Sequence, residues 1–189
     1  MSNGDTLSTS PTESFLKHLK LREGFREDVY LDSLGKPTGG TGHLLTASER
    51  AEYSKGDRPG QTVTDRWLAE DSAIAYGAGL SHAGGLGIKA QGMVGALGHV
   101  NFQLGTGWRS KFGGVWSAME SGDFNLAGQE AMFKTPGKPE PSEWMKQTPT
   151  RVNDFVSALK SYGSSQEHLK NLKVAGDAMY KEENPIGAE

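Results

Sequence analysis

The chain has 189 residues, a formal charge of −3 and no cysteine. This length suits one compact domain with its own core, and the lack of cysteine excludes disulfides and thiolate metal sites. A nucleic-acid-binding protein would carry a basic patch, and a membrane-spanning helix would need about 18 consecutive apolar residues, so we expect neither a nucleic-acid partner nor membrane insertion.

The first quarter of the chain changes from a helical to an extended pattern. Residues 1–10 are polar, lack the apolar segment of a signal peptide, and are predicted to form a flexible tail. A helix follows, with Ser10 as its N-cap and Gly24 as its stop, so that Glu23 lies at its end. Residues 28–45 indicate a β-hairpin or a small sheet, in which the return strand is rich in glycine.

Helical spacing of apolar residues dominates the rest of the chain. Helices are predicted over residues 47–55, 64–80, 88–104, 110–121, 123–133 and from 149 onward. Thr64 is the predicted N-cap of the second of these helices. The third contains Gly92, Gly95 and Gly98, each costing roughly 1 kcal/mol against alanine, so close packing is the expected reason for them. Residues 134–142 hold three prolines and are predicted to be a loop.

Acidic, hydroxyl and imidazole side chains follow one another closely in the segment 21–45. Glu23 closes the first helix, and Asp32, Thr38 and His43 follow in and around the hairpin. Glycoside hydrolysis needs two carboxyl groups that flank one bond, one protonated and the other ionised. A helix end facing a hairpin can place two such groups across a cleft. Two acids at this spacing are also common on ordinary protein surfaces, so spacing alone leaves both interpretations open.

The pattern E-x8-D-x5-T-x4-H resembles the catalytic hairpin of phage-type lysozymes, glycoside hydrolase family 24. Two further segments are similar to motifs of that family and occur in the same order. They are NFQLGTG at residues 101–107 and WMKQTPTR at residues 144–151. The three motifs together cover roughly residues 12–160.

The resemblance implies an α+β, mostly helical fold with two lobes. The small lobe, about residues 23–60, holds the β-hairpin, and a long helix connects it to a larger helical lobe. The implied catalytic domain covers residues 11–162, and the active cleft lies between its lobes. Residues 163–189 have no counterpart in the resemblance and are predicted to be a C-terminal extension that contains a helix.

The resemblance also implies a role for each matched residue. Glu23 is the general acid, Asp32 is the second carboxylate, and Thr38 helps to hold the attacking water. Arg151 is implied to lie near Glu23 and to orient it. The residues implied to line the saccharide groove are Leu44, Phe102 and Gln103.

Other residues have a structural interpretation beside a functional one. His43 suits a packed, hydrogen-bonded role better than that of a base or metal ligand, and the resemblance implies Asp71 as its partner. Trp108 and Trp116 are candidates either for stacking on sugar rings or for the core. The five histidines show no H-x3-H or H-E-x-x-H pattern, so we expect no metal and no cofactor.

The implied activity is that of an N-acetylmuramidase. Such an enzyme cleaves the β-1,4 bond between N-acetylmuramic acid and N-acetylglucosamine in peptidoglycan, here with inversion and as a monomer. Two rivals stay open. A lytic transglycosylase acts on the same bond but would leave Asp32 and Thr38 without a water to position. A non-catalytic wall-binding protein on a lysozyme fold would be expected to have lost an acid.

The biological setting has three alternatives. A phage endolysin would wait in the cytoplasm of the host bacterium and reach the periplasmic cell wall after release through a holin. A virion-associated lysozyme would dock in the phage particle. A secreted antibacterial toxin would act on the walls of other cells.

Overall fold

The structure is a computed structural model that describes residues 7–183, with side chains described as far as residue 174. It is mostly helical with a small antiparallel sheet, which confirms the α+β, mostly helical prediction. The helices are α1 (Glu13–Glu23), α2 (Ala47–Glu52), α3 (Gln61–Gly85), α4 (Gln91–Leu104), α5 (Gly113–Glu120), α6 (Phe124–Met132), α7 (Glu143–Gln147) and α8 (Pro149–Glu183). The strands are β1 (Arg26–Leu31), β2 (Pro37–Gly40) and β3 (His43–Leu44).

The chain forms two compact units that divide between Lys111 and Phe112. The first contains the sheet and α1 to α4, and the second contains α5 to α8. Among residues 7–183, no helix has the length and apolar character needed to cross a membrane.

Helix α1 begins later than predicted. Its N-cap is Thr12, whose side chain accepts a hydrogen bond from the amide of Phe15 at 3.2 Å, so the prediction of Ser10 was wrong. Gly24 ends the helix as predicted, with a φ of 69°. The predicted tail lies partly outside the described residues. Within it, the amide of Ser8 donates to the side-chain oxygen of Gln91 at 2.9 Å.

The predicted hairpin is the first half of a three-stranded sheet with the order β1-β2-β3. Between β2 and β3, Gly40 and Gly42 have φ values of 58° and 86°, which turn the chain back after only four residues of β2. The predicted return strand is therefore two short strands. In the sheet, Tyr30 pairs with Thr38, and Thr38 pairs with Leu44.

One face of the sheet packs on α3 through Trp67. This indole is fully buried against Val29 and Leu45. A Cβ atom built on Gly39 would lie 2.8 Å from the Trp67 ring, so glycine is needed for the strand to approach the helix. These apolar contacts hold the sheet against α3.

Helix α3 begins at Gln61 with Gly60 as its N-cap, so the prediction of Thr64 as N-cap was wrong. The Thr64 side chain is buried inside the helix, and its hydroxyl donates to the carbonyl oxygens of Gly60 and Gln61. A threonine inside a helix can satisfy its hydroxyl by bonding back to the preceding turn, so the residue type alone does not mark a helix start.

Helices α3 and α4 approach each other closely at two glycines. A Cβ atom on Gly79 would lie 2.7 Å from the Val94 carbonyl oxygen, and one on Gly98 would lie 3.4 Å from the Tyr76 Cα atom and 2.9 Å from the Phe15 ring of α1. The packing reason predicted for the glycines of this helix therefore holds at Gly98. It does not hold at Gly92, where a Cβ atom would meet nothing within 4 Å.

The second unit has its own core between α6, α7 and the first half of α8. Its largest buried side chains include Trp116, Trp144 and Phe155. Residues 134–142 form a loop, as predicted, whose neck is closed by a bridge between Phe133 and Pro141.

Helix α8 runs without interruption from Pro149 to Glu183, so the predicted extension from residue 163 continues a helix of the second unit. Gly163 lies against Phe124, whose Cβ atom would be 3.1 Å from an added Cβ atom. Further along, Leu169 and Leu172 are exposed.

Candidate active site

Glu23 and Asp32 stand at the ends of two neighbouring elements. Glu23 is the last residue of α1 and is half-buried. Asp32 directly follows β1 and closes the turn after it, because its Oδ1 atom accepts from the amides of Leu34 and Lys36, both at 2.8 Å. Within the described residues the second oxygen, Oδ2, makes no hydrogen bond and is left for other partners.

Thr38 lies on the central strand, paired with β1 on one side and β3 on the other. Its hydroxyl donates to the Lys36 carbonyl oxygen at 3.1 Å. The direction of this bond leaves the oxygen lone pairs of Thr38 to accept. A group bound beside the strand would therefore meet an acceptor at this position.

Sequence reasoning missed Tyr30, which lies on β1 opposite Thr38. It pairs with Thr38 in the sheet, and the negative charges of Asp32 and Glu23 both act on its phenol. The signal was present in the strand alternation. Val29 faces the core, so its neighbour Tyr30 faces the opposite side.

The structure brings His43 and Asp71 together. The Nδ1 atom of His43 lies 2.9 Å from the Asp71 carboxylate, and its Nε2 atom lies 2.9 Å from that of Glu49. The imidazole also stacks on Trp67, with ring centroids 4.7 Å apart. His43 is buried, so this arrangement suits the structural role.

Glu49 is the second residue that sequence reasoning missed. Its Oε2 atom accepts from the amide and the hydroxyl of Thr46, both at 2.8 Å, and its Oε1 atom accepts from the indole N–H of Trp67 at 2.5 Å. Partial burial raises the pKa of Glu49, but the hydrogen bonds from His43, Thr46 and Trp67 outweigh it and lower the pKa to about 2. The sequence contains one signal for Glu49, because Thr46 and Glu49 have the spacing of a capping box.

The same contacts act on the histidine. Burial lowers the pKa of His43, but the hydrogen bonds with Asp71 and Glu49 raise it by more, so the net shift is upward. In its charged form the ring donates from both nitrogens, one to each carboxylate. The imidazolium thereby ties β3 to α2 and α3.

A cavity of about 340 Å³ opens beside this network in the first unit. Leu44 and Phe102, two of the predicted groove residues, line it together with Asp71 and Asn101. Gln103 is half-buried next to Phe102 and does not line this cavity. The remaining lining residues are Gly42, Ile74, Ala75, Gly105 and Thr106.

Buried hydrogen bonds hold the end of α4 at the cavity. The side-chain amide of Asn101 donates to the Ala75 carbonyl oxygen at 3.1 Å and accepts from the indole N–H of Trp108 at 2.9 Å. Trp108 and Trp116 are both buried, so both candidates for sugar stacking are core residues.

Arg151 belongs to the second unit, where it lies half-buried in the first turn of α8. That Arg151 lies near Glu23 and orients it stays a prediction.

No family model matches the chain, and a search of curated proteins finds no match.

Proposed function

We propose that this protein is an N-acetylmuramidase that hydrolyses peptidoglycan on a lysozyme-like, two-lobed fold. One observation carries the proposal. The carboxylates of Glu23 and Asp32 act on the same phenol, Tyr30, and that residue pairs with Thr38 in the sheet. The strand pairing and these charge effects support a grouping of Glu23, Asp32 and Thr38 around Tyr30, as the proposed reaction requires.

The proposed reaction assigns each of these groups a task. Glu23 donates its proton to the glycosidic oxygen as the bond to the anomeric carbon breaks. Asp32 takes a proton from a water that attacks the same carbon from the other face, which inverts its configuration. Thr38 accepts the second hydrogen of that water, because its own hydroxyl hydrogen is used by the Lys36 carbonyl oxygen.

The cavity supports a saccharide as the substrate. Sugar rings have apolar faces and polar edges, and a groove that binds them needs both kinds of contact. Leu44 and Phe102 supply apolar walls, and Asp71 and Asn101 supply polar atoms beside them. An endolysin in the host cytoplasm before holin-dependent release is the setting we propose, with a virion-associated lysozyme and a secreted toxin as its alternatives.

Product analysis tests the proposal. The chain is incubated with purified peptidoglycan, and the released fragments are identified by mass spectrometry. Reducing N-acetylmuramic acid ends are expected, with the α anomer formed first in an NMR time course. Anhydro-muramic ends would contradict the hydrolase and show that the activity is that of a lytic transglycosylase. Binding without cleavage would contradict an enzymatic role and favour a wall-binding protein.

Replacement of Asp71 by asparagine is expected to lower stability more than turnover. The change removes the negative charge that faces His43 at 2.9 Å, and a hydrogen bond between charged groups contributes about 2 kcal/mol. The free energy of unfolding in urea and kcat on peptidoglycan are measured side by side. Asp65→Asn, at an exposed position of α3, is the matched control. A large loss of kcat at unchanged stability would contradict the structural role of this pair.

A further inference from the structure

The sheet places Tyr30 on the same face as Thr38, one of the two residues to which we assign the hydrolytic water. Val29 points into the core, so Tyr30 lies on the opposite face of β1. Residues paired directly in an antiparallel sheet share a face. Tyr30, Thr38 and Leu44 therefore form one row across the three strands, and Leu44 lines the cavity.

A cation holds the Tyr30 ring in place. The Arg26 guanidinium lies 4.3 Å from the ring centroid, within the range of a cation–π contact. Asp28 fixes that guanidinium with two hydrogen bonds of 2.8 and 3.3 Å. This contact favours one orientation of the Tyr30 ring.

The Tyr30 phenol stays protonated, and so remains a hydrogen-bond donor, throughout the pH range in which one carboxyl group is protonated and the other ionised. Partial burial raises the pKa of Tyr30, Arg26 lowers it, and the charges of Asp32 and Glu23 raise it again, with a net upward shift. The hydroxyl thus keeps its proton. Within the described residues it has no hydrogen-bond partner, so the O–H is available to a bound molecule.

The attacking water needs one more contact than the proposed function supplies. It gives one hydrogen to Oδ2 of Asp32 and the other to the hydroxyl oxygen of Thr38. One of its two lone pairs attacks the anomeric carbon. The other lone pair can accept one hydrogen bond, and this bond would complete the tetrahedral arrangement of a water molecule.

We propose that Tyr30 is a positioning residue that donates this fourth hydrogen bond and so aims the water at the anomeric carbon. The inference rests on the proposed hydrolase function. In the step itself, the bond from the water oxygen to the anomeric carbon forms as the glycosidic bond breaks. One water proton passes to Asp32, and the proton of Glu23 passes to the leaving oxygen. Tyr30 keeps its proton throughout.

Replacement of Tyr30 by phenylalanine tests the proposal, because it keeps the ring and its stack on Arg26 and removes only the hydroxyl. The expected result is a kcat about tenfold lower, as for one hydrogen bond made in the transition state, with KM within about twofold. A second readout is the Kd of a non-hydrolysed N-acetylglucosamine oligomer, whose binding involves no attacking water and is expected to be equally tight in the variant and the wild type.

Tyr162→Phe is the matched control, because Tyr162 is a half-buried tyrosine of the second unit that packs on Phe124. It is expected to change neither kcat nor this Kd. A raised KM together with a raised Kd in Tyr30→Phe would place the phenol on the sugar and overturn the proposal. An unchanged kcat would overturn it as well. If the wild-type chain itself releases no glycan products, the proposed hydrolase function is wrong. This outcome is distinguishable from the two above, which concern only the Tyr30→Phe variant.

Discussion

Replacement of Glu23 by glutamine is expected to lower kcat on peptidoglycan by about 10²- to 10⁴-fold, the usual contribution of a general acid. Glutamine has the size of glutamate but no proton to give, so the leaving oxygen would depart as an alkoxide. KM is expected to change little, because the side chain of Glu23 acts on the breaking bond and contributes little to binding the glycan strand. Initial rates of reducing-end release at several substrate concentrations separate the two parameters.

Glu27→Gln is the control for this experiment. Glu27 lies on β1, four residues further along the chain, and its only ion pair in the described structure is an exposed one with Arg58 at 3.5 Å. The same chemical change at this position is expected to leave kcat within about twofold, since exposed ion pairs contribute little. Equal losses in both variants would mean that surface charge controls wall binding and would remove Glu23 from the role of acid.

Replacement of Glu49 by glutamine is expected to cost roughly 3 kcal/mol of unfolding free energy, the effect of breaking a largely buried ion pair. The change leaves the His43 imidazolium with one carboxylate in place of two. It also weakens the acceptor for the Trp67 indole N–H and for the Thr46 amide. Urea denaturation, followed by tryptophan fluorescence, measures the difference from the wild type.

The pH dependence of this difference follows from the two pKa shifts. The pKa of Glu49 is lowered from 4.5 to about 2, so its stabilisation is fully present above pH 4.5 and is lost as the pH falls toward 2. The pKa of His43 is raised from 6.5, so its stabilisation is fully present below pH 6.5 and is lost as the pH rises through the raised value. The difference between wild type and variant is therefore largest between pH 4.5 and 6.5.

Glu70→Gln supplies the control for stability, because Glu70 is an exposed carboxylate on α3 beside Asp71. Its effect is expected to stay within about 0.5 kcal/mol at every pH, as for most surface substitutions. A difference for Glu49→Gln that stays constant from pH 3 to pH 9 would contradict the ion-pair account. It would show that lost packing, which does not titrate, is the cause.

Local signals in the sequence predict much of the candidate site. A glycine stop, a short strand and a turn act over a few residues, and they are enough to place Glu23 at a helix end and Asp32 beside a turn. The predicted hairpin was correct for β1 and β2. The single return strand predicted over residues 38–45 is divided into β2 and β3, because a pair of positive-φ glycines, Gly40 and Gly42, turns the chain within what looks like one extended segment.

Longer-range contacts are the part that sequence reasoning could not supply. The capping box at Thr46 indicates where Glu49 helps to start α2, but not that the same carboxylate also receives the indole of Trp67, 18 residues away. Tyr30 was missed for a similar reason. Strand alternation indicates the face of β1 on which it lies, but not its pairing with Thr38, which follows from the turn that Asp32 closes.

The contact between α3 and α4 also limits how this chain can evolve. A side chain added at Gly79 would meet the main chain of α4, at the Val94 carbonyl oxygen and the Gly98 amide nitrogen. Most packing clashes can be relieved when the facing residue becomes smaller, but main-chain atoms are shared by all residue types. A second mutation in the facing side chain therefore cannot compensate for a change at Gly79. The shape of this contact therefore requires glycine at position 79, and a glycine there can mark distant descendants of this fold even after the residues of the candidate site have changed.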